Sequence, residues 1–213
     1  MSSLTTIRSA VRKDLHDEDS AAYRWTDAVL QRHIERALRE YSFFAPLEKK
    51  STVVTVAGTR DISITSLAPR LRVVAVEWPT GNYPPTFVPF TLWADTLTLD
   101  VVSAPAAVEN VSVLWHGVHT INGTVSFSAG DDDVIAIGAA GFAATDWSSY
   151  AINRVNVGGE GAWGRYEEFG RRRTEEFFAR LKRLPQYSRV RGAQLYTPQD
   201  ARLRSQTTDP GPV

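Results

Sequence analysis

The sequence predicts an α+β protein: a four-helix bundle with an antiparallel β insertion of about six strands between the second and third helices, and an extended C-terminal tail. Three observations carry this. Apolar residues recur at helical spacing in residues 3–44 and again in 131–184, the period shortens to two between Lys50 and Ile121, and periodicity stops at Pro185. The resulting organisation is residues 1–49 and 122–185 as the helical body, 50–121 as the β unit and 186–213 as an extended C-terminal arm.

Leu4, Ile7, Val11 and Leu15 share one helical face behind Ser3, a suitable N-cap, so residues 3 to about 16 read as a helix ended by the polar run HDEDSAAYR. In the second helix Thr26 caps, Asp27 complements the N-terminal partial charge, Leu30, Ile34, Leu38 and Tyr41 form a face, and Pro46 marks the end. Thr52–Val56, Arg60–Ile64, Leu71–Glu77, Phe87–Trp93, Asp95–Val101 and Val108–Trp115 are rich in β-branched and aromatic residues and read as strands.

The third helix, DDDVIAIGAAGFAATDWSSYAI, opens on Asp131 to Asp133 and is apolar or small on nearly every side, which places it centrally. Gly138, Ala139, Ala140, Gly141, Ala143 and Ala144 weaken it intrinsically but admit close neighbours. The last helix, about Gly161 to Leu184, carries Tyr166, Phe169, Phe177, Leu181 and Leu184 on one side and ends at Pro185.

A chain of 213 residues with 43% hydrophobic content can bury a core. Cysteine is absent, which excludes disulfides, thiol catalysis and thiolate metal sites. Lys plus Arg and Asp plus Glu are both 24, so the whole chain exerts no long-range attraction on nucleic acid. No run reaches the roughly 18 apolar residues of a membrane span, and the first residues lack the apolar core of a signal peptide, which predicts synthesis in the cytoplasm without membrane association.

Gly159-x-Gly161-x-x-Gly164 has the spacing of a dinucleotide-binding turn, but that turn needs an entering strand, and here a helix precedes it. Gly158, Gly159 and Gly161 instead read as a structural turn, supplying left-handed conformations at a helix C-terminus and a tight interhelical connection. His116 and His119 lie at a strand end, where an i, i+3 pair points to opposite faces, and the three aspartates have a sufficient reason in the helix dipole. Neither is read as a metal site, no Gly-x-Ser-x-Gly elbow is present, and neither cofactor nor catalysis is expected.

Arg171, Arg172, Arg173, Arg180, Lys182 and Arg183 give the last helix a basic surface with Glu167, Glu168, Glu175 and Glu176 in helical reach. That surface leaves a DNA-binding or packaging-associated protein as the alternative function, and the aspartates around Asp131 leave a hydrolase as a more distant one. In WPTGNYPPTF, Trp78, Tyr83 and Phe87 around Pro84 and Pro85 read as a stiff aromatic projection suited to a contact surface, or equally as a loop that packs on its own sheet. The tail has four arginines against two aspartates in a segment expected to be extended in isolation, and its scattered Tyr187, Val190, Leu195, Tyr196 and Leu203 read as anchors for a partner, with a disordered end as the alternative.

Three segments, RKDLHDEDSAAYRWTDAVLQRHIERALREYS, VEWPTGNYPPTFVPFTLWADTLTL and AATDWSSYAINRVNVGGEGAWGRYEEFGRR, resemble the head-tail adaptor proteins of tailed bacteriophages, also called head-completion or head-to-tail connector proteins. The resemblance implies a virion neck protein at the head-tail interface, assembled as a ring of identical subunits, usually twelve. Such a ring lies beneath the portal protein, extends the DNA channel and docks a stopper or tail-completion protein. Packaged DNA passes through without sequence-specific binding. The implied portal contacts are Tyr187, Arg189, Arg191, Leu195, Tyr196, Arg202, Leu203 and Arg204, and the implied stopper-side contacts are Trp78, Tyr83, Pro84, Pro85 and Phe87.

Overall fold

A computed structural model describes residues 3–121, 126–151 and 161–184, and these form a mixed α+β fold of four α-helices and two antiparallel sheets. Helix α1 spans Leu4–Asp14, with the Ser3 hydroxyl accepting from the Thr6 amide at 3.1 Å, and it buries Ile7 and Val11 completely. Helix α2 spans Asp27–Phe44 behind Thr26 and buries the expected Leu30, Ile34, Leu38 and Tyr41 together with His33, Ala37 and Ser42.

A 3-10 turn at Ala129–Asp131 leads into α3, Asp132–Ala151, in which every residue from Val134 to Ala144 is buried. Its small residues do what their pattern predicts. α3 contacts each of α1, α2 and α4, the last spanning Ala162–Leu181 and closing on α3 through Phe177 and Leu181, both fully buried. α4 ends at Leu181 with Lys182 as its C-cap, short of the expected Leu184. Leu184 still packs partly on the helical core.

Between α2 and α3 the described residues form seven strands: β1 Leu47–Val54, β2 Asp61–Ser63, β3 Arg70–Glu77, β4 Phe87–Val88, β5 Phe90–Trp93, β6 Thr96–Leu99 and β7 Asn110–Gly117. One sheet has the order β1-β7-β3-β4 and the other β2-β6-β5. The expected strand Phe87–Trp93 is broken at Pro89, which cannot donate to a ladder, and its halves join different sheets. The first strand starts at Leu47 and not at Thr52, because pairing with β7 over its whole length, from Leu47↔Gly117 to Val54↔Asn110, overrides the poor strand propensity of Glu48, Lys49 and Lys50.

Two hydrophobic clusters result. The helices, with Ile121 and Phe127, form one. Val53, Ile62, Ile64, Leu67, Val76, Leu97, Leu99, Val111, Val113 and Trp115 form the other between the two sheets. Alternation turns Glu48, Lys50, Thr52 and Val54 of β1 to the opposite, outer face with Ser112, Leu114 and His116 of β7.

Candidate functional site

The aromatic loop divides into an anchor and a projection. Trp78 packs partly into the β core, its Nε1–H donates to Glu109 Oε2 at 3.0 Å, and its amide closes the loop on Thr86 O at 3.0 Å. Glu77 accepts from Lys50 Nζ at 2.7 Å, and that hydrogen bond holds its carboxyl below the usual range. Gly81, at φ +86°, turns the chain beside the same carboxylate. Above this base Tyr83 is 98% exposed and Phe87 54% exposed, with Pro84 and Pro85 also exposed. Trp78 is half-buried, and its N–H is taken up by Glu109, so it anchors the loop from which Tyr83 and Phe87 project.

The glycine turn is described only at its end. Gly158 and Gly159 lie outside the described residues, while Gly161 has φ +77° and caps the N-terminus of α4. Its left-handed conformation agrees with the expectation, although it opens a helix where a helix C-terminus was anticipated. The described residues before the glycines belong to α3, Asp132–Ala151, and residues 152–160 lie outside the described residues. Tyr187, Arg189, Val190, Arg191, Leu195, Tyr196, Arg202, Leu203 and Arg204 lie outside the described residues.

Neither a scan against protein-family models nor a search among curated proteins gives a match.

The remaining polar candidates are held by the fold. His119 donates from Nε2 to the Ala45 carbonyl at 2.8 Å and accepts at Nδ1 from the Ser126 hydroxyl at 2.9 Å, with burial pushing its pKa down. His116 Nδ1 accepts from Arg72 Nε at 3.1 Å, so the two histidines serve different networks. Among the described residues, no group of three His, Cys, Asp or Glu side chains is placed to hold a metal ion. Of the three aspartates, Asp131 accepts from the Tyr41 hydroxyl at 2.7 Å and Asp133 pairs with Arg180 at 2.8 Å, so both have partners beyond the helix dipole. Burial, then the Asp131 bond, raises the Tyr41 pKa and keeps the phenol protonated.

On α4, Arg171 pairs with Glu175, Arg173 with Glu176 and Asp14, and Arg180 with Glu176 and Asp133. Three of the six cations that gave the last helix its basic surface are thereby neutralised locally.

One constellation was hidden in the polar run after α1. Arg12, only 6% exposed, donates to Asp17 Oδ2 at 2.6 Å, to Asp27 Oδ1 at 2.7 Å and to Trp25 O at 3.0 Å, and its guanidinium lies 3.4 Å over the Tyr23 ring. Asp17 also receives the Arg24 and Trp25 amides, so the loop folds around one carboxylate. The Arg12 bond holds the Asp27 carboxyl below its usual pKa. The sequence signal was an acid soon after a basic helix end, indistinguishable from a solvated charge run.

Beside this clamp an open cleft of about 550 Å³ is lined by Asp14, His16, Asp19, Arg24, Trp25 and Tyr166 among others. Burial raises the Asp14 pKa there, opposed by Arg173. Arg24 lies within 5.8 Å of the ring centroids of Trp25, Trp147 and Tyr166, tying the loop to α3 and α4.

Proposed function

We propose that the chain is a structural head-tail adaptor of a tailed phage, a ring subunit of the virion neck that joins the portal to a stopper or tail-completion protein. In this reading the four helices form a bundle as the ring body, residues 50–121 are an inserted β unit, and residues 186–213 are the arm that binds the portal. Twelve copies enclose a channel that packaged DNA crosses.

The observation that supports the reading beyond the resemblance is the loop at 78–87. Its base is fixed by Trp78 on Glu109 and by Glu77 on Lys50, while Tyr83 and Phe87 remain in solvent. Rigid aromatic groups kept exposed on a braced loop suit a contact surface, because little conformational entropy is lost when a partner covers them. The separation of helical and β cores supports the division into body and insertion. The alternative, duplex binding by the last helix, is weakened by the ion pairs of Arg171, Arg173 and Arg180.

The test is electron microscopy of the protein mixed with its cognate portal rings. A coaxial ring of added density is expected, and its symmetry counts the subunits. Intact portals that gain no density would overturn the adaptor reading and turn attention to a salt titration on duplex DNA.

A further inference from the structure

The cleft between the loop after α1 and the start of α4 looks acidic in sequence, because its lining takes Asp14, Asp17 and Asp19 from the run DLHDED. Each of these aspartates is already engaged within the fold. Asp14 pairs with Arg173 at 3.2 Å, and Asp17 receives the Arg12 guanidinium at 2.6 Å together with the Arg24 and Trp25 amides. Asp19 Oδ1 accepts from the Ala21 amide at 2.9 Å, inside its own turn.

The arginines of the same cleft have no such partners. Arg24 and Arg165 are both exposed, and among the described residues neither forms an ion pair. The Arg24 guanidinium lies over the Tyr166 ring, 5.2 Å from its centroid, which leaves its N–H groups open to an acceptor. Between the two arginines and the aspartates, Trp25, Tyr166 and Phe169 supply an apolar wall. His16 completes the lining at φ +52°, a left-handed position at the end of α1 that glycine would hold at lower cost. An open volume of about 550 Å³ with an apolar wall and a few polar groups is the usual form of a small-ligand site.

These groups set the chemistry of the occupant. Guanidinium forks match a carboxylate, which can accept two parallel hydrogen bonds from one of them. The aromatic wall suits a flat or apolar body on the same ligand. A phosphate dianion fits less well, because the second charge is repelled by the nearby Asp14 and Asp19. A cation finds carboxylates that already accept from Arg173, Arg12 and backbone amides.

We propose that this cleft binds a carboxylate carried on an aromatic group, with Arg24 and Arg165 on the carboxylate and Trp25, Tyr166 and Phe169 against the ring. Free aromatic acids present this chemistry, and so does an acidic residue beside an aromatic one in a peptide. The site belongs to the helical part of the fold and does not depend on the adaptor reading.

The test is a titration of the full chain carrying isotope-labelled tryptophan, followed by the indole N–H resonance that Trp25→Phe removes. Phenylacetate is expected to shift that resonance saturably, at the roughly millimolar affinity open to so small a ligand. Phenylacetamide and phenethylamine should bind about tenfold more weakly, and phenyl phosphate more weakly than phenylacetate. Arg165→Gln and Arg24→Lys, both at exposed side chains, should each weaken phenylacetate with unchanged circular dichroism. Phenethylamine bound as tightly as phenylacetate would overturn the proposal, since the aspartates would then set the sign of the cleft. Absence of a saturable shift, or full affinity in Arg165→Gln and Arg24→Lys together, would overturn it as well. The blocked dipeptide acetyl-Phe-Glu-amide separates the sources: tighter binding than phenylacetate assigns the site to a peptide, and exclusion of the dipeptide assigns it to free acids.

Discussion

Gly138 of α3 lies against the ring of Phe177 of α4 so closely that a Cβ at position 138 would stand 2.7 Å from Cδ2. Phe177 is fully buried and also meets Phe142 edge-on at 5.9 Å, so it cannot swing away. Gly170 repeats the relationship from the other helix, where an added Cβ would stand 2.8 Å from the Thr145 amide nitrogen and 2.9 Å from Gly141 O. Gly138→Ala and Gly170→Ala should each cost about 2–3 kcal/mol by overpacking. Gly164→Ala meets nothing within 4 Å and should gain about 0.5 kcal/mol from helix propensity. Urea denaturation of the three variants checks this opposite sign.

Arg12 is the hub of a buried network, so removing one partner leaves a charge without compensation. Asp17→Asn should cost about 3 kcal/mol and Arg12→Ala a similar amount, with greater protease sensitivity between residues 15 and 26. Arg12→Lys should rescue little, because a single ammonium cannot serve Asp17, Asp27 and the Trp25 carbonyl in the guanidinium's fork geometry. Stability equal to wild type in Arg12→Lys would refute the geometric part of the account.

His33 and His119 both have pKa values lowered by burial. Their unfolded forms titrate near 6.5, above the folded values, so below that pH the unfolded chain binds more protons. Their contribution to stability is complete above about pH 6.5 and is lost as pH falls through the folded values. A decline in denaturant midpoints is expected as pH falls from 7 to 5. His119→Gln should lower stability at pH 7 and flatten the slope, and a slope equal to that of the parent would assign the effect elsewhere.

Trp78 and Tyr83 should separate folding from contact. Trp78→Ala removes core packing and the Glu109 bond and should cost about 2 kcal/mol. Tyr83→Ala touches an exposed ring and should change stability by less than about 0.5 kcal/mol while weakening attachment of the next neck or tail protein. Normal attachment by the combined Tyr83→Ala and Phe87→Ala variant would count against the loop as a docking surface.

Much of the helical part was legible because its signals are local: Ser3 and Thr26 cap the first two helices, and Ile7, Val11, Leu30 and Ile34 lie where periodicity puts them. The need for small residues on α3 was also legible, whereas Gly170 on α4 was not, since its partner Thr145 belongs to another helix. Long-range pairing explains the other differences. β1 begins early because β7 lies beside it, and Trp78 is an anchor because Glu109 waits 31 residues on. The clamp at Arg12 shows the same limit, for a charge looks alike in sequence whether water or a buried carboxylate receives it.

Leu47 and Gly117 are register partners, so the chain departs from and rejoins the helical part of the fold at one doorway. Antiparallel partners stand only about 5 Å apart, a gap that a short turn can span. The intervening seventy residues, roughly, thus leave and return at neighbouring points, the topology of an insertion. Changes confined to the strands between these partners leave the threading of the helices as it is.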